Sequence, residues 1–383
     1  MKVLLVAKTL TKGGAASGAS NLLHALCAAG AEVVVMDAYA KQLGQPIDLL
    51  RKMERVCEHL VCDAETHFLR LGPSVFNLVH LYEKYHPDVI QLCDISGNVI
   101  KFSDISKVPC PVVHRMSDFW PYHGARHYSD VPPQKLDLAE HLLKSTIFSG
   151  HHLPDMRVAP SEWLANALKD DGICMIRNAV AWQANIKPRQ RPRQPLRLGF
   201  IADPITLPRK GFLNLSRLLA EVSHRWGKIA IDLFGRITPS EIPDIPGVEV
   251  KVHGAFSRAQ RSSVYAGFDI LLCPSRLDNS PNVLTEALAY GVPVIAQSNT
   301  GMNSYVTPYF GALIDFYGEH STAVTDLVLA IEYLTSNFAQ ASLAALDYVT
   351  QELCPEVIGE QYLDLYAKLV SASRQTSYLL KGD

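Results

Sequence analysis

Short apolar runs rich in Val and Ile recur along the chain, separated by longer stretches with helical spacing. In the first half they are KVLLVAK (2–8), AEVVVMDA (31–38), PDVIQLC (87–93), PVVHRM (111–116), RVAPS (157–161) and CMIRNAV (174–180). They do not alternate polar and apolar positions. Each therefore reads as a strand covered on both faces, as in a parallel sheet between layers of helices. Strands and helices in turn predict a doubly wound α/β domain.

The pattern breaks at QANIKPRQRPRQPLRLG (183–199), where Pro188, Pro192 and Pro195 are interleaved with Lys187, Arg189, Arg191 and Arg193. So few apolar residues suit a solvated linker better than a core element, although the cations could also touch phosphates. Strands then resume: LRLGFIA (196–202), KIAIDLFG (228–235), VEVKVHG (248–254), FDILLCPS (268–275), PVIAQ (293–297) and GALIDF (311–316). A tail helix is predicted over 355–373, with Val357, Ile358, Tyr362, Leu365, Tyr366 and Leu369 near helical spacing. The expected division is a Rossmann-like domain over 1–182, a linker over 183–195, a second Rossmann-like domain over 196–354, and a helical segment over 355–383 that could pack back on the first domain. A chain of 383 residues is too long for one typical core, which fits two domains. Open α/β sheets bind ligands at the carboxyl ends of their strands, so two in tandem predict a site in a cleft between them.

Composition narrows the function. A formal net charge of −2 argues against bulk nucleic-acid binding, which needs clustered positive charge. The 8 cysteines are scattered without a C-x-x-C pair and read as reduced thiols of a cytosolic protein. The first apolar run is too short for a signal peptide, and none approaches the roughly eighteen residues that span a bilayer. A cytoplasmic protein is expected, soluble or seated on the inner face of the membrane.

The stretch LDNSPNVLTEALAYGVPVIAQ (277–297) carries two acids in an apolar neighbourhood. Ser280 and Pro281 predict a helix start, by hydroxyl cap and by proline in the first turn, and Gly291 with Pro293 predicts its end. Val283, Leu284, Ala287 and Leu288 then share one side, with Asn282 and Glu286 opposite and Asp278 in the loop before. A helix start suits phosphate, whereas carboxylates accept hydrogen bonds from hydroxyls. The pattern fits a ligand with both diols and phosphates, such as a nucleotide sugar, with Asp278 on the sugar and Glu286 on the ribose. Asn279, Ser280 and Asn282 are further donor ligands on this reading. The bland alternative, a turn acid and a solvated helix acid, stays open at this point.

Three other segments follow strand ends. ITLPRKGFLNL (205–215) puts Arg209 and Lys210 where a leaving diphosphate would need positive charge. TKGGAASGAS (11–20) lets backbone approach a ligand through Gly13 and Gly14. It is neither a dinucleotide fingerprint, lacking the middle glycine, nor a P-loop, since Ala19 and Ser20 follow Gly18. Asp37, at the end of the second strand, keeps the dinucleotide idea as a weak rival. HRMSDFWPYHGARHYSD (114–130) joins aromatics to His and Asp, a mixture that suits sugar rings with apolar faces and hydroxyl rims. A zinc site from His114, His123 and His127 is the weaker reading, without an acid at ligand spacing.

The segment PSRLDNSPNVLTEALAYGVPVIA resembles the signature of the large retaining glycosyltransferase family with the two-domain GT-B fold, family four, and within it the bacterial subgroup that builds exopolysaccharides such as colanic acid. The family's first acid is usually Glu and here is Asp278. Lys210 and Gly211 match its diphosphate-binding pair, while the usual upstream Arg falls at Ile205, so Arg209 is the substitute. Gly13 and Gly14 match a glycine turn near the donor diphosphate. Asp118, Trp120, Gly124, His127 and Tyr128 match a His-Asp-x-Trp pattern ending in Gly-x-x-His-Tyr, with Ser117 standing where the family has His. The resemblance implies metal-independent transfer, without a cofactor, from a nucleotide-diphosphate sugar to a saccharide or lipid-linked acceptor. It makes Asp278, Asp118 and His123 candidates at the reacting centre, His114 being the other residue that could serve for the missing His. Trp120, Tyr122 and His127 are placed toward the acceptor. The departures at Asp278 and Ser117 motivate one rival, a nucleotide-sugar-binding protein without turnover; a third reading is a two-domain nucleotide-sugar epimerase.

Overall fold

The computed structural model describes residues 1–11, 13–40, 53, 56, 73–122, 126–128, 153–168, 172–183 and 185–379. The chain divides into two compact units, Met1–Ala179 with Pro355–Asp383, and Val180–Cys354.

Unit 1 is built on one parallel sheet in the order β2-β1-β3-β4-β5-β6. Its strands are β1 (Lys2–Ala7), β2 (Glu32–Asp37), β3 (Val89–Cys93), β4 (Val112–Arg115), β5 (Met156–Ala159) and β6 (Ile173–Met175). The helices are α1 (Gly14–Ala28), α2 (Leu78–Tyr85) and α3 (Glu162–Leu168). Alternate residues of β1 feed two cores: Val3, Leu5 and Ala7 on one face, Leu4 and Val6 on the other. Burial on both faces is why the run shows no polar alternation. β2 is an edge strand and stays partly exposed. The run at 174–180 is a strand only to Met175. Beyond it, Asn178 turns to Arg115, and the Val180 N–H donates to the Leu353 carbonyl in unit 2.

Unit 2 holds β7 (Leu196–Ile201), β8 (Ile229–Phe234), β9 (Val248–Gly254), β10 (Ile270–Cys273), β11 (Val294–Gln297) and β12 (Gly311–Ile314). They form a parallel sheet in the order β12-β11-β10-β7-β8-β9. The helices are α4 (Phe212–Trp226), α5 (Arg261–Ala266), α6 (Asn282–Ala289), α7 (His320–Ser336) and α8 (Phe338–Tyr348). α4 buries Leu215, Leu218, Leu219 and Val222, one stripe of a 3.6-residue period. β10 sends Ile270 and Leu272 into the core beneath α4, and Leu271 and Cys273 into the core beneath α6. Strands β8 and β9 continue from β7 in one direction, β11 and β12 from β10 in the other. The crevice at the carboxyl ends of β7 and β10 is therefore the switch point where such sheets take ligands.

Most of the proline-arginine segment is exposed, and two of its arginines tie it to unit 2. Arg189 donates to the carbonyls of Phe268 and Tyr265, and burial pushes its guanidinium down to about 10. Arg193 pairs with Asp269 at 2.7 Å. Asp269 is buried and needs that counter-ion, so these arginines fasten the extended, proline-rich backbone to unit 2.

The C-terminal helix α9 (Pro355–Leu379) belongs to unit 1 and packs along α1. Gly359 lies against the Ala25 carbonyl, where any side chain would collide. Ile358, Tyr362 and Tyr366 fill the core beneath β1 and β3.

Candidate functional site

The switch point of unit 2 brings Lys210 and Asp278 together. After β7 the chain turns through Pro208–Lys210 and reaches Gly211 at φ 78°. A side chain at Gly211 would strike the Pro274 carbonyl and the Tyr317 hydroxyl. Glycine is thus required twice, for the left-handed turn and for the close approach to the end of β10. That approach sets the Lys210 ammonium 2.6 Å from Asp278 Oδ2. Arg209 Nη1 lies 3.6 Å from the same oxygen and donates to the Leu277 carbonyl at 2.9 Å. Asp278 is buried at 4% exposure. Its carbonyl accepts from the Gly301 N–H at 2.9 Å, and the Gly301 Cα sits directly on the backbone of Asn279, itself fully buried. Asp278 was expected to face sugar hydroxyls. In the structure it is the counter-ion of two cations, because both loops converge on one crevice. Ile205 is buried in the core, and Arg209 is the second cation beside Asp278.

The helix after Asp278 departs from expectation in two ways. α6 begins at Asn282 with Pro281 in the cap position, and Ser280 does not cap it: its hydroxyl donates to Tyr305 Oη at 2.8 Å. Nor does Glu286 point outward. It is 5% exposed, accepting from the Tyr265 hydroxyl at 2.8 Å and pairing with Arg261 Nη2 at 2.8 Å. Burial pushes its carboxyl up, against the opposing pull of Arg261 and Tyr265. Arg261 and Tyr265 lie on α5, upstream of β10, and no local spacing in the sequence marked them.

In unit 1 the strand order reverses between β1 and β3. Gly13, at φ 99°, caps α1, which starts at Gly14. Nothing lies near the place of a Gly13 side chain, so the backbone conformation alone demands glycine there. Gly18 has another purpose: the Arg115 guanidinium, buried at the end of β4, lies against it and donates to Asn178 Oδ1 at 2.9 Å. Lys8 donates to Ser96 Oγ at 2.9 Å, and Ser96 donates to Asp94 Oδ1 at 2.8 Å. This trio at the strand ends was not anticipated.

Asp118 and His127 form a pair, Oδ2 to Nδ1 at 2.7 Å, and Asp118 Oδ1 accepts from the Trp120 N–H at 2.9 Å. Burial alone would lower the His127 pKa, but the charge and hydrogen bond of Asp118 reverse that and leave it raised. The aromatics expected to line an acceptor surface are instead buried: Trp120 is 6% exposed and Tyr122 4%. Tyr122 meets His114 Nδ1 at 2.6 Å, with the Arg157 guanidinium over its ring. Burial pushes His114 down to about 3, so its imidazole is neutral across ordinary pH. Ser117 Oγ accepts from Arg115 at 3.3 Å. His123 and Gly124 lie outside the described residues.

Among the described residues, no three His, Cys, Asp or Glu side chains gather as a metal site. No described helix is long and apolar enough to cross a membrane. A concavity of about 840 Å³ on unit 2, between Arg197, Asp232, His253 and Phe256, contains neither Lys210, Asp278 nor Glu286.

Comparison with known proteins places these features. Residues 246–340, which span Asp278 and Glu286, match the family Glycosyl transferases group 1. The colanic acid biosynthesis glycosyl transferase WcaC of Escherichia coli strain K12 is 26% identical over 59% of this chain, and the chain spans 60% of that relative. Among solved structures, Alr3699/HepE of Anabaena in complex with UDP aligns over 96% of this chain and 100% of its own, with TM-score 0.62 and 17% identity. Sucrose-phosphate synthase of Thermosynechococcus elongatus aligns over 97% and 100%, with TM-score 0.63 and 15% identity. The chain thus has the GT-B type of fold, two Rossmann-like units, and residues 246–340 of its second unit match the Glycosyl transferases group 1 family.

Proposed function

We propose that this chain is a glycosyltransferase that moves a sugar from a nucleoside-diphosphate sugar to a saccharide or lipid-linked saccharide, in surface-polysaccharide assembly. The observation that carries the reading is the meeting of Lys210, Arg209 and Asp278 at the switch point of unit 2. Two cations there can stabilise the charge that develops on a diphosphate as its bond to the sugar breaks. Asp278 holds them in place until the diphosphate arrives, and is then released to accept sugar hydroxyls. The Glycosyl transferases group 1 match supports the reaction class. The UDP bound in the Anabaena structure supports the donor class, and the colanic acid relative supports the polysaccharide setting.

Transfer proceeds with retention and without a metal ion on this reading. The acceptor oxygen forms a bond to the sugar carbon as the donor C–O bond breaks, and the acceptor proton passes to the departing phosphate. In unit 1 the Asp118–His127 pair orients the acceptor. The experiment is incubation of the purified chain with UDP-, GDP- and ADP-sugars and saccharide acceptors, with products identified by mass spectrometry and the linkage by NMR. Lys210→Ala is expected to lower kcat about a hundredfold. Absence of any transfer or donor hydrolysis by the wild-type chain would refute the proposal.

A second reading, nucleotide-sugar binding without turnover, has a specific observation in its favour. Ser117 occupies the histidine position of the resemblance, with its hydroxyl engaged by Arg115. Nucleotide-sugar binding by calorimetry, with no product formed from any donor, would select it.

A further inference from the structure

Glu286 is committed to two donors of unit 2, Tyr265 through one carboxylate oxygen and Arg261 through the other. An ionised carboxylate offers about four lone-pair positions, so these contacts leave two for a vicinal diol. Arg261 is the cation beside whatever occupies them. Its Nη2 is fixed on Glu286, its side chain is 16% exposed, and a guanidinium carries further N–H groups and a flat face.

Topology orders these groups along the sheet. Lys210 and Asp278 follow β7 and β10, the two strands at the crevice. Arg261 opens α5, reached by the loop that leaves β9, and β9 lies beyond β8 from the crevice. Strands are about 4.8 Å apart, so the β9 exit lies roughly 10 Å from β7 along the carboxyl edge. A nucleotide with its diphosphate at Lys210 and its ribose at Glu286 would extend its base in that direction. Arg258, in the preceding turn, adds a second positive charge near Glu286.

We propose that Arg261 is the nucleoside-recognition residue of this chain, its guanidinium held by Glu286 and laid flat against the base of the bound nucleotide. The proposal rests on the donor reading above. It assigns base discrimination to stacking and hydrogen bonding by arginine, which a point charge cannot supply.

The test is calorimetric titration of UDP, GDP, ADP and inorganic pyrophosphate into wild type, Arg261→Ala and Arg261→Lys, with thermal unfolding of each. Arg261→Ala is expected to weaken the preferred nucleoside diphosphate about tenfold and to level the ranking of the three, with pyrophosphate affinity unchanged. Arg261→Lys keeps the ion pair with Glu286, so it guards against a fold defect, and is expected to bind nucleotides nearly as weakly as the alanine variant. Three results would overturn the proposal: wild-type affinity in Arg261→Ala, wild-type affinity in Arg261→Lys, or an equal loss for pyrophosphate. Failure of wild type to bind any of the nucleotides would overturn the donor reading and this proposal together. The three results above leave the donor reading standing.

Discussion

Lys210 Nζ and Asp278 Oδ2 are 2.6 Å apart, and they come from loops after the two strands that flank the switch point. The pair is mostly dry, with side chains 21% and 6% exposed. On the proposed donor reading, a diphosphate competes with this carboxylate for the lysine. Asp278→Asn keeps the shape and removes the charge, leaving Lys210 and Arg209 without their counter-ion. Urea unfolding should show a loss of about 2 kcal/mol, the low side for breaking a buried pair because Lys210 is partly wet. Pyrophosphate should bind several-fold tighter by calorimetry, since no ion pair then opposes it. Weaker pyrophosphate binding would mean that Asp278 organises the two cations and does not compete for them.

Gly301 fixes where Asp278 sits. Its N–H holds the Asp278 carbonyl, and a Cβ there would collide with the Asn279 carbonyl oxygen. The loop must move in Gly301→Ala, while the sheet and α6 remain supported by their own cores. Far-ultraviolet circular dichroism should be unchanged and nucleoside-diphosphate affinity should fall at least tenfold. Unaltered affinity would show that the site does not depend on the loop's position.

Strand periodicity and strand-end motifs were legible in the sequence because both are local. Continuous apolar runs gave away strands buried on both faces, and Lys210-Gly211 and Asp278 lie in the loops after such runs. Contacts between distant segments were not legible. Arg115 over Gly18, Arg189 on the carbonyls of Tyr265 and Phe268, and Arg261 on Glu286 each join residues whose spacing carries no period. Helical spacing placed Glu286 opposite the apolar side of α6, as though that side met water. It meets α5 instead, and only the packing of α5 reveals this. Ser280 had the chemistry of a cap, but its hydroxyl went to Tyr305, a tertiary partner that overrode the local preference.

His127 makes a pH-dependent contribution to unit 1. Its folded pKa is raised above the ordinary value near 6.5 by Asp118. The charged pair therefore stabilises the fold fully below about pH 6.5, and this is lost as pH rises through the folded value. His114 acts in the opposite sense. Its folded pKa near 3 means that the unfolded chain takes up a proton first as pH falls below about 6.5, which favours unfolding. The informative quantity is the stability of wild type minus that of His127→Asn, because His114 is common to both. This difference should be about 1–2 kcal/mol at pH 6 and shrink toward pH 9. A difference that grows with pH would contradict the charged pair.

The C-terminal helix should be indispensable to unit 1. The Tyr366 hydroxyl donates to Gln91 Oε1 at 2.6 Å, and Gln91 is fully buried on β3. Tyr366→Phe removes the donor but not the ring, stranding a buried carbonyl oxygen at a cost of about 1–3 kcal/mol. Gly359→Val acts on the same helix by a different route, forcing α9 off the Ala25 carbonyl of α1. Moving α9 away from α1 would open the core that Ile358, Tyr362 and Tyr366 fill. Each removed aliphatic or aromatic side chain in such a core costs about 2–5 kcal/mol, so displacing three at once is comparable with the whole stability of a domain, about 5–15 kcal/mol. Thermal unfolding should therefore show a modest downward shift for Tyr366→Phe and loss of the unit 1 transition for Gly359→Val. A wild-type melting profile in Gly359→Val would mean that α9 does not bear on the stability of β1 and β3.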